Sequence, residues 1–379
     1  MALWGIISAA CLALTAAAET ERAAKGENAM QHVVVAGRPG KFAGWPANNG
    51  VWIWEGREIL VGFTWGDFKE KEGHNIEDST ITSLLARSLD GGQTWATEEP
   101  TPFVGRCGAP QPPPGNIPFD SPGFALRMVA EGYHGSIDPR GSFFFSCDRG
   151  RNWKGPFHYG GLMDHAELAG LRCTARTNYL VMGPGHCLLF MSARRAGKGM
   201  IDRAFLAETR DGGATFQFAS WIVSYDDPHR AVMPSPALCD SGRLVAALRR
   251  RASPEDVCWI DAYGAQDGGR TWSFLSRIGE TGGQNGNPPA LVKMRDGRLC
   301  CAYGDRSRRL MLARVSADEG RSWGDEIVIR DDFEADRFGD ADFGYPRLVQ
   351  REDGKLVALY YWASRQHPHQ HIAATIFAP

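Results

Sequence analysis

Apolar residues in the second half of the chain fall into short runs that are separated by polar turns. The segments 236–245, 289–299 and 346–357 share one layout, in which an apolar run that begins with Pro is followed by an Asp-Gly or Ser-Gly pair and a second apolar run. Two such runs joined by a short glycine-containing turn are typical of a β-hairpin. Each segment is therefore predicted to form two antiparallel strands.

A second repeat, eight residues long, marks a different kind of hairpin. It has the form Ser-x-Asp-x-Gly-x-Thr-Trp with related residues at some positions, and successive copies begin between 51 and 63 residues apart. The copies occupy residues 88–95, 146–153, 209–216, 265–272 and 316–323. Self-similarity at such a spacing indicates an array of similar structural units.

The chemistry of this octet is that of a tight turn. An aspartate side chain accepts hydrogen bonds from nearby backbone N–H groups, and glycine supplies a residue with positive φ. The aromatic residue at the end can pack in the core beside the turn. Because five equivalent acids at a regular spacing suit a structural role, Asp90 and its four counterparts are interpreted as turn residues and not as catalysts.

The two hairpins together give four strands for every roughly 50–60 residues, which is the size of one β-propeller blade. Five octets predict five blades, and strands from 344–362 and 372–377 supply a sixth. The outer strand of the sixth blade is predicted to come from 32–35, which would close the ring and remove an exposed sheet edge. We therefore predict an all-β, six-bladed β-propeller with four-stranded antiparallel blades, as a single domain over residues 19–379.

The N-terminal segment 1–18 is apolar, too short to cross a bilayer as a helix, and ends in three alanines. It predicts a signal peptide cleaved near Ala18, and hence a secreted or periplasmic protein. No later segment has the apolar length of a membrane span. Export would permit disulfides, but cysteines inside apolar runs, such as Cys300 and Cys301, are interpreted as small buried side chains.

Charge and cysteine spacing narrow the range of partners. The formal net charge is −2 and no run of Lys or Arg follows the chain, so a nucleic-acid partner is not expected. No Cys-x-x-Cys spacing occurs, so a zinc site is not expected either.

The octets resemble the aspartate boxes of the sialidase superfamily, and the chain is similar to the BNR-repeat branch of that superfamily from about residue 30 to its end. The resemblance implies a glycan substrate and an active site at the propeller axis, on the face opposite the boxes. It also implies retaining glycoside hydrolysis, with a tyrosine nucleophile assisted by Glu, an Asp as acid/base and three arginines that bind the carboxylate of sialic acid. No metal or organic cofactor is implied.

Carried onto this chain, the resemblance places the nucleophile at Tyr345, in the strand before the last Asp-Gly turn. The acid/base residue usually precedes the first box, where Glu77 and Asp78 are the candidates and Asp78 is favoured. Arg309, seven residues before the fifth box, matches the third arginine. Arg347 lies two residues after Tyr345 and so shares its strand face.

Three residues that the resemblance leads us to expect are missing. The segments that would carry the first two arginines, 42–46 and 259–262, contain none, and the Glu partner of the tyrosine is absent from 232–235. Because bidentate arginine contacts dominate carboxylate recognition, either the sugar differs or other arginines replace them. Arg176 and the run 249–251 are the candidate replacements. The starts of the inner strands are predicted to ring the axis with Trp45, Arg176, Met233, Asn287 and Tyr345.

The sequence leaves three functions open. The first is an exported, exo-sialidase-like glycoside hydrolase that releases a terminal anionic sugar. The second is a glycosidase or lyase on a different acidic or deoxy sugar, with Tyr345 or His74 as the base of an elimination. The third is a propeller that binds glycan or protein without catalysis. An enzyme should bring Tyr345, an acid and at least two arginines within one sugar's width of each other at the axis.

Overall fold

The computed structural model describes residues 30–99, 109–129, 141–174, 176–195, 202–252 and 255–379. The predicted signal peptide and Cys107 lie outside these residues. Within them, six antiparallel sheets follow one another along the chain, and an apolar core lies between each sheet and the next. The six-bladed β-propeller predicted from the repeats is confirmed.

The first three blades follow the order of the chain. Their strands are β2 (Lys41–Gly44), β3 (Val51–Trp54), β4 (Glu58–Asp67), β5 (Thr82–Ser88) and β6 (Ala96–Glu98) in blade 1; β7 (Ala125–Val129), β8 (Ser142–Ser146) and β9 (Lys154–Phe157) in blade 2; and β10 (Leu171–Cys173), β11 (Tyr179–Gly183), β12 (His186–Arg195), β13 (Asp202–Thr209) and β14 (Gln217–Trp221) in blade 3. The inner strand is split in two in blades 1 and 3, and a short helix, α1 (Pro46–Asn49), fills the gap in blade 1. Blade 2 has three strands within the described residues.

The last three blades each have four strands. They are β15 (Arg230–Leu238), β16 (Leu244–Arg251), β17 (Cys258–Ala265) and β18 (Ser273–Gly282) in blade 4; β19 (Ala290–Lys293), β20 (Leu299–Asp305), β21 (Leu310–Ser316) and β22 (Ile327–Arg330) in blade 5; and β23 (Gly344–Gln350), β24 (Leu356–Trp362), β25 (His371–Phe377) and β1 (Gln31–Ala36) in blade 6. Short 3₁₀ turns lie at Asp78–Thr80 and Leu162–Asp164.

Closure of the ring depends on the N-terminal strand. β1 pairs antiparallel with β25, with Val33 opposite Ala374, so blade 6 takes its outer strand from the start of the described chain. The predicted closure by residues 32–35 is therefore confirmed. This pairing holds the two ends of the described chain in one sheet, and an apolar core fills the space between blades 6 and 1.

The octets form the turns that their sequence predicts. In the first, Oδ1 of Asp90 accepts hydrogen bonds from the N–H groups of Gln93 and Thr94 at 3.0 and 2.9 Å. Gly91 and Gly92 have φ of 73 and 94°, which residues with a Cβ rarely adopt. The indole of Trp95 packs against the core between blades 6 and 1. The structural interpretation of the box aspartates is therefore confirmed.

The antiparallel order of the strands separates two ends of the propeller. The boxes connect the last two strands of their blades, as 88–95 connects β5 and β6. The loops between the second and third strands must then lie at the opposite end, because successive strands reverse direction. No helix in the described part of the chain is long and apolar enough to cross a membrane. The cysteines described are all free thiols, and six of these seven are buried.

Candidate active site at the propeller axis

Three inner strands leave regular geometry where they reach the axis. Trp45, Met233 and Tyr345 have φ of 55, 56 and 50°, and the pairing of β15 and β23 shifts register at the last two positions. A left-handed backbone is rare for bulky residues and costs on the order of 1–3 kcal/mol, which the surrounding packing has to offset. All three side chains line one cavity of about 260 Å³.

The cavity is strongly cationic and lies at the end opposite the boxes. Loops between second and third strands contribute side chains from blades 1 and 5, and the ends of those two strands contribute side chains from blade 3. Its polar lining includes five arginines, two aspartates, one histidine and one tyrosine, which are Arg176, Arg194, Arg230, Arg249, Arg306, Asp78, Asp202, His74 and Tyr345. A cavity with this charge is suited to binding an anion.

Tyr345 lines this cationic cavity and is affected by the charges of three of its residues. Nη1 of Arg249 donates to its hydroxyl at 3.2 Å, and the same guanidinium lies 5.7 Å from the ring centroid. Burial alone would raise the pKa of Tyr345, but Arg249, Arg306 and His74 lower it to about 7. A substantial fraction of phenolate is therefore present at neutral pH.

Asn287 holds Tyr345 in its unusual backbone conformation. Its Oδ1 accepts from the N–H of Tyr345 at 2.8 Å, and its Nδ2 donates to the carbonyl of Phe343 at 3.2 Å. The side chain is fully buried and does not line the cavity. The predicted place of Asn287 in the ring of cavity residues is therefore corrected: it lies behind Tyr345, where it satisfies backbone groups that the broken strand pairing leaves free.

Asp202 is the counter-ion of the arginines in blade 3 and blade 4. Its Oδ2 accepts from Nε of Arg230 at 2.6 Å, and its Oδ1 accepts from Thr174 at 2.9 Å and lies 3.7 Å from Nε of Arg194. Full burial raises the pKa of Asp202, but Arg230 and Arg194 more than offset that effect and lower it. The carboxylate is ionised at neutral pH and fixes the direction of Arg230.

Two of the five arginines keep unused N–H groups. Both terminal nitrogens of Arg230 have no acceptor among the described residues. Nη1 of Arg306 donates to the carbonyl of Gln284 at 2.6 Å, whereas Nε and Nη2 have no partner in the described part of the chain although the side chain is only 9% exposed. Unsatisfied buried donors are costly, so an anionic ligand would relieve these two groups.

A histidine and a buried aspartate form a second polar group at the wall. Nδ1 of His74 lies 2.8 Å from Oδ1 of Asp342, and the hydroxyl of Tyr361 donates to the same oxygen at 2.6 Å. Burial raises the pKa of Asp342, but His74 and the hydrogen bond from Tyr361 help to lower it overall. His74 faces the cavity and Asp342 lies behind it.

The two predicted acid/base residues occupy different places. Asp78 lines the cavity, but its side chain is 77% exposed and pairs with Lys71 at 2.9 Å. Glu77 forms an ion pair with Lys69 and does not line the cavity. The structure therefore brings Asp78 to the rim of the site and directs Glu77 away from it; Glu77 is in an extended conformation, whereas Asp78 begins the 3₁₀ turn.

Two of the predicted arginines lie elsewhere. Arg309 is at the exposed tip of the turn between β20 and β21, with φ of 58°, and the residue that lines the cavity from this loop is Arg306. Arg347 is buried beneath the cavity, where it donates to Asn178 and to backbone carbonyls, and burial lowers its pKa to about 9. Both placements correct the sequence prediction, since neither guanidinium faces Tyr345.

Trp45 and Arg176 do line the cavity, as the sequence analysis expected, and Arg249 belongs to the run 249–251 that it named. Two of the arginines that were not predicted, Arg194 and Arg306, carry a detectable signal. The second strands of blades 3 and 4 end in Ala-Arg-Arg at 193–195 and Arg-Arg-Arg at 249–251, and Arg306 directly follows the second strand of blade 5. Alignment of the blades on their second strands would have placed these arginines at the same end of the propeller.

Comparison with known families settles the relationship of the chain. Residues 126–358, well over half of the chain, match the family described as BNR repeat-like domain. The chain belongs to the BNR repeat-like domain family. Among curated proteins, none matches this BNR repeat-like chain in sequence.

Solved structures share the fold of this BNR repeat-like protein at low sequence identity. A Dyadobacter fermentans protein of unknown function is 22% identical with a TM-score of 0.70, over 92% of this chain and 98% of the other. An α-L-arabinanase of Penicillium chrysogenum, complexed with arabinobiose, is 14% identical with a TM-score of 0.61, over 92% and 97%. A Hadza microbial sialidase is 17% identical with a TM-score of 0.58, over 88% and 65%.

Proposed function

We propose that this protein is a glycoside hydrolase that releases a terminal anionic sugar from glycans, with Tyr345 as its nucleophile. The observation that carries the proposal is a phenol with a pKa of about 7 at the floor of a cavity lined by five arginines. A phenolate that attacks a sugar carrying a carboxylate meets less charge repulsion when arginines neutralise that carboxylate. The presence of Tyr345, an acid and several arginines in the lining of one cavity supports the proposal.

Recognition of the sugar is assigned to Arg230 and Arg306. Their unpartnered N–H groups and their burial suit charge-assisted hydrogen bonds to a carboxylate. They would replace the two arginines missing from 42–46 and 259–262. An exo-sialidase-like specificity is the form of this proposal that follows the family resemblance, and it fits the sialidase among the structural neighbours.

In the proposed reaction, Oη of Tyr345 bonds to the anomeric carbon while the glycosidic C–O bond breaks, which retains configuration after water displaces the phenol. Arg249 keeps the phenol ionised before attack, and it stabilises the phenolate again when water displaces Tyr345 from the sugar. The departing oxygen needs a proton, and two groups at the cavity, Asp78 and His74, carry ionisable atoms at its wall.

A second candidate is elimination from a uronic acid. It is favoured by one observation: no carboxylate in the described residues forms a hydrogen bond to Tyr345, so the phenolate has no neighbouring base of the kind that the resemblance implies. In this reaction Tyr345 would remove the proton on the carbon next to the carboxylate, a C=C bond would form and the bond to the departing sugar oxygen would break. The arginines would stabilise the charge that develops on the carboxylate.

The test is turnover of a panel by the purified chain, with Tyr345→Phe as the inactive variant and Tyr225→Phe as the matched control. Tyr225 bonds to Arg195 on the outside of blade 3 and is outside the cavity. The panel contains fluorogenic sialosides, aryl uronides and uronate-containing polysaccharides. Free sugar released without a conjugated double bond supports hydrolysis, whereas ultraviolet absorbance of an unsaturated uronate supports elimination.

Full activity of Tyr345→Phe on a substrate that the wild type cleaves would overturn both reactions. If the wild type turns over no substrate of the panel but still binds glycans, a non-catalytic propeller would be favoured. We also propose export, which would place the enzyme where extracellular glycans occur; N-terminal sequencing of the protein from its native host would show whether residues 1–18 are removed.

A further inference from the structure

Asp342 and Tyr361 give His74 a defined protonation pattern. Asp342 is 2% exposed, and its Oδ1 receives hydrogen bonds from both Tyr361 and Nδ1 of His74. An ionised carboxylate only accepts hydrogen bonds, so the proton of this contact belongs to Nδ1. Nε2 is therefore the nitrogen of His74 that is available for proton transfer.

Nε2 also has the access that such a role requires. No residue in the described ranges forms a hydrogen bond to it, and the His74 side chain is 47% exposed while it lines the cavity. Trp45 packs edge-on against the imidazole, with ring centroids 4.9 Å apart, which restricts its rotation. A histidine held through one nitrogen and open at the other is the arrangement of a general acid or base.

His74 and Tyr345 each shift the pKa of the other. Desolvation in the cavity lowers the pKa of His74, but Asp342 and the phenolate of Tyr345 raise it, and the net direction is upward. His74 in turn is one of the groups that lower the pKa of Tyr345. An imidazolium at His74 therefore favours the phenolate of Tyr345, and the phenolate favours the imidazolium, which is the pair that an acid and a nucleophile require.

The carboxylates near the site are less suited to this step. Asp78 is a largely exposed partner of Lys71, and Glu77 points to Lys69 outside the cavity. Asp202 is fully buried between Arg230 and Arg194. Because Arg230 and Arg194 lower its pKa, Asp202 is a poor proton donor at neutral pH.

We propose that His74, positioned by Asp342, is the acid/base residue of the reaction; this inference rests on the proposed glycoside hydrolysis. As Oη of Tyr345 bonds to the anomeric carbon, Nε2 gives its proton to the leaving oxygen and the glycosidic bond breaks. Neutral Nε2 then takes a proton from water, whose oxygen bonds to the anomeric carbon while the bond to Tyr345 breaks. One water is consumed, and the imidazolium and phenolate are restored.

Dependence on the leaving group tests the role of His74. The measurement is kcat/KM of His74→Gln and Asp78→Asn on a disaccharide, and on an aryl glycoside of the same sugar whose phenol departs without protonation. We expect His74→Gln to lose about 10²–10⁴-fold on the disaccharide and less than about tenfold on the aryl glycoside, whereas any loss in Asp78→Asn should be the same on both substrates. Equal losses on both substrates in His74→Gln, or the split appearing in Asp78→Asn, would overturn the assignment.

A measurement without substrate separates this inference from the proposed function. The phenolate absorbance of Tyr345 is titrated as the difference between each protein and the same protein carrying Tyr345→Phe. We expect a higher pKa for Tyr345 in His74→Gln, because a neighbouring positive charge is lost, and no change in Asp78→Asn. An unchanged titration in His74→Gln would contradict the coupling. Activity that persists in Tyr345→Phe would instead refute the proposed function.

Discussion

The two ends of the propeller use the same side-chain chemistry for different purposes. At the box end, Asp90 and its counterparts accept hydrogen bonds within their own turns. Burial raises the pKa of Asp90, but hydrogen bonds from Thr94 and Ser88 outweigh that effect and lower it to about 2. At the axial end, Asp202 and Asp342 are buried and accept from residues distant in sequence. Local contacts make the boxes repeat, whereas long-range contacts make the axial residues differ from blade to blade.

This difference teaches where to look for function in a repeat protein. The octets are equivalent because each has the same turn to form. At the axis the corresponding positions hold Trp45, Met233 and Tyr345, which share a strained backbone conformation and no chemistry. Residues that depart from the repeat and carry backbone strain are therefore the ones that build the cavity.

The largest expected effect is at the axial end, on the ionisation of Tyr345. Arg249→Met removes the guanidinium that donates to the phenol, so its pKa should rise from about 7 toward that of an ordinary tyrosine. Because the phenolate is the reactive form, the activity of the wild type should rise as the pH passes through about 7, and it should fall again at higher pH, where His74 loses the proton that the leaving oxygen needs. A rise of about two pKa units lowers the phenolate fraction at pH 7 from about one half to about 1%, so the variant should lose at least about tenfold in kcat/KM at that pH.

A pH profile of kcat/KM, read beside an ultraviolet titration of the phenol, checks this prediction. Arg277→Met, on the outer strand β18, is the matched control and should keep the wild-type profile. A profile of Arg249→Met that superimposes on that of the wild type would show that Arg249 does not set the ionisation of Tyr345.

The next effect is on stability, at the buried carboxylate of the axial end. Asp202→Asn leaves Arg230 and Arg194 without their counter-ion, and breaking a buried pair costs about 3–5 kcal/mol. Denaturant unfolding should show this loss, and KM should rise because Arg230 is no longer held in place. Asp240→Asn, an exposed partner of Lys293, should stay within about 1 kcal/mol of wild type. Equal stability of the two variants would refute the role of Asp202.

A smaller effect is expected at the box end, on stability alone. Asp90→Ala removes the acceptor of the turn and should cost about 1–2 kcal/mol, as the loss of a capping residue does, with kcat/KM unchanged. Because the pKa of Asp90 is lowered to about 2, the wild-type advantage should persist above pH 4 and disappear as the pH falls through about 2. Loss of activity in the folded variant would contradict a purely structural role.

The smallest effect should come from Arg309. Arg309→Asn changes an exposed turn residue whose left-handed backbone suits asparagine, so activity should be unchanged and stability should stay within about 0.5 kcal/mol. Arg306→Asn, three residues earlier, should instead raise KM because it removes N–H groups from the cavity. Comparable KM values for the two variants would refute the assignment of Arg306 to substrate binding.

What the sequence by itself determined is the part of the structure that local interactions build. The octets and the Asp-Gly hairpins carry their own acceptors, glycines and aromatic residues, so their turns, the number of blades and the closing strand at residues 32–35 were predictable. Tyr345, Trp45 and Arg176 were also placed correctly at the cavity, since the repeat predicts which part of each blade reaches the axis.

Only the tertiary structure decided which charged residues meet at the axis. His74 and Asp342 are 268 residues apart, Asp202 holds Arg230 across two blades, and Arg306 instead of Arg309 reaches the cavity because the chain turns between them. Such contacts depend on how six sheets converge on one axis, which no local pattern encodes. The physical reason is that a hairpin satisfies its own backbone groups, whereas a buried charge has to find its partner from elsewhere in the fold.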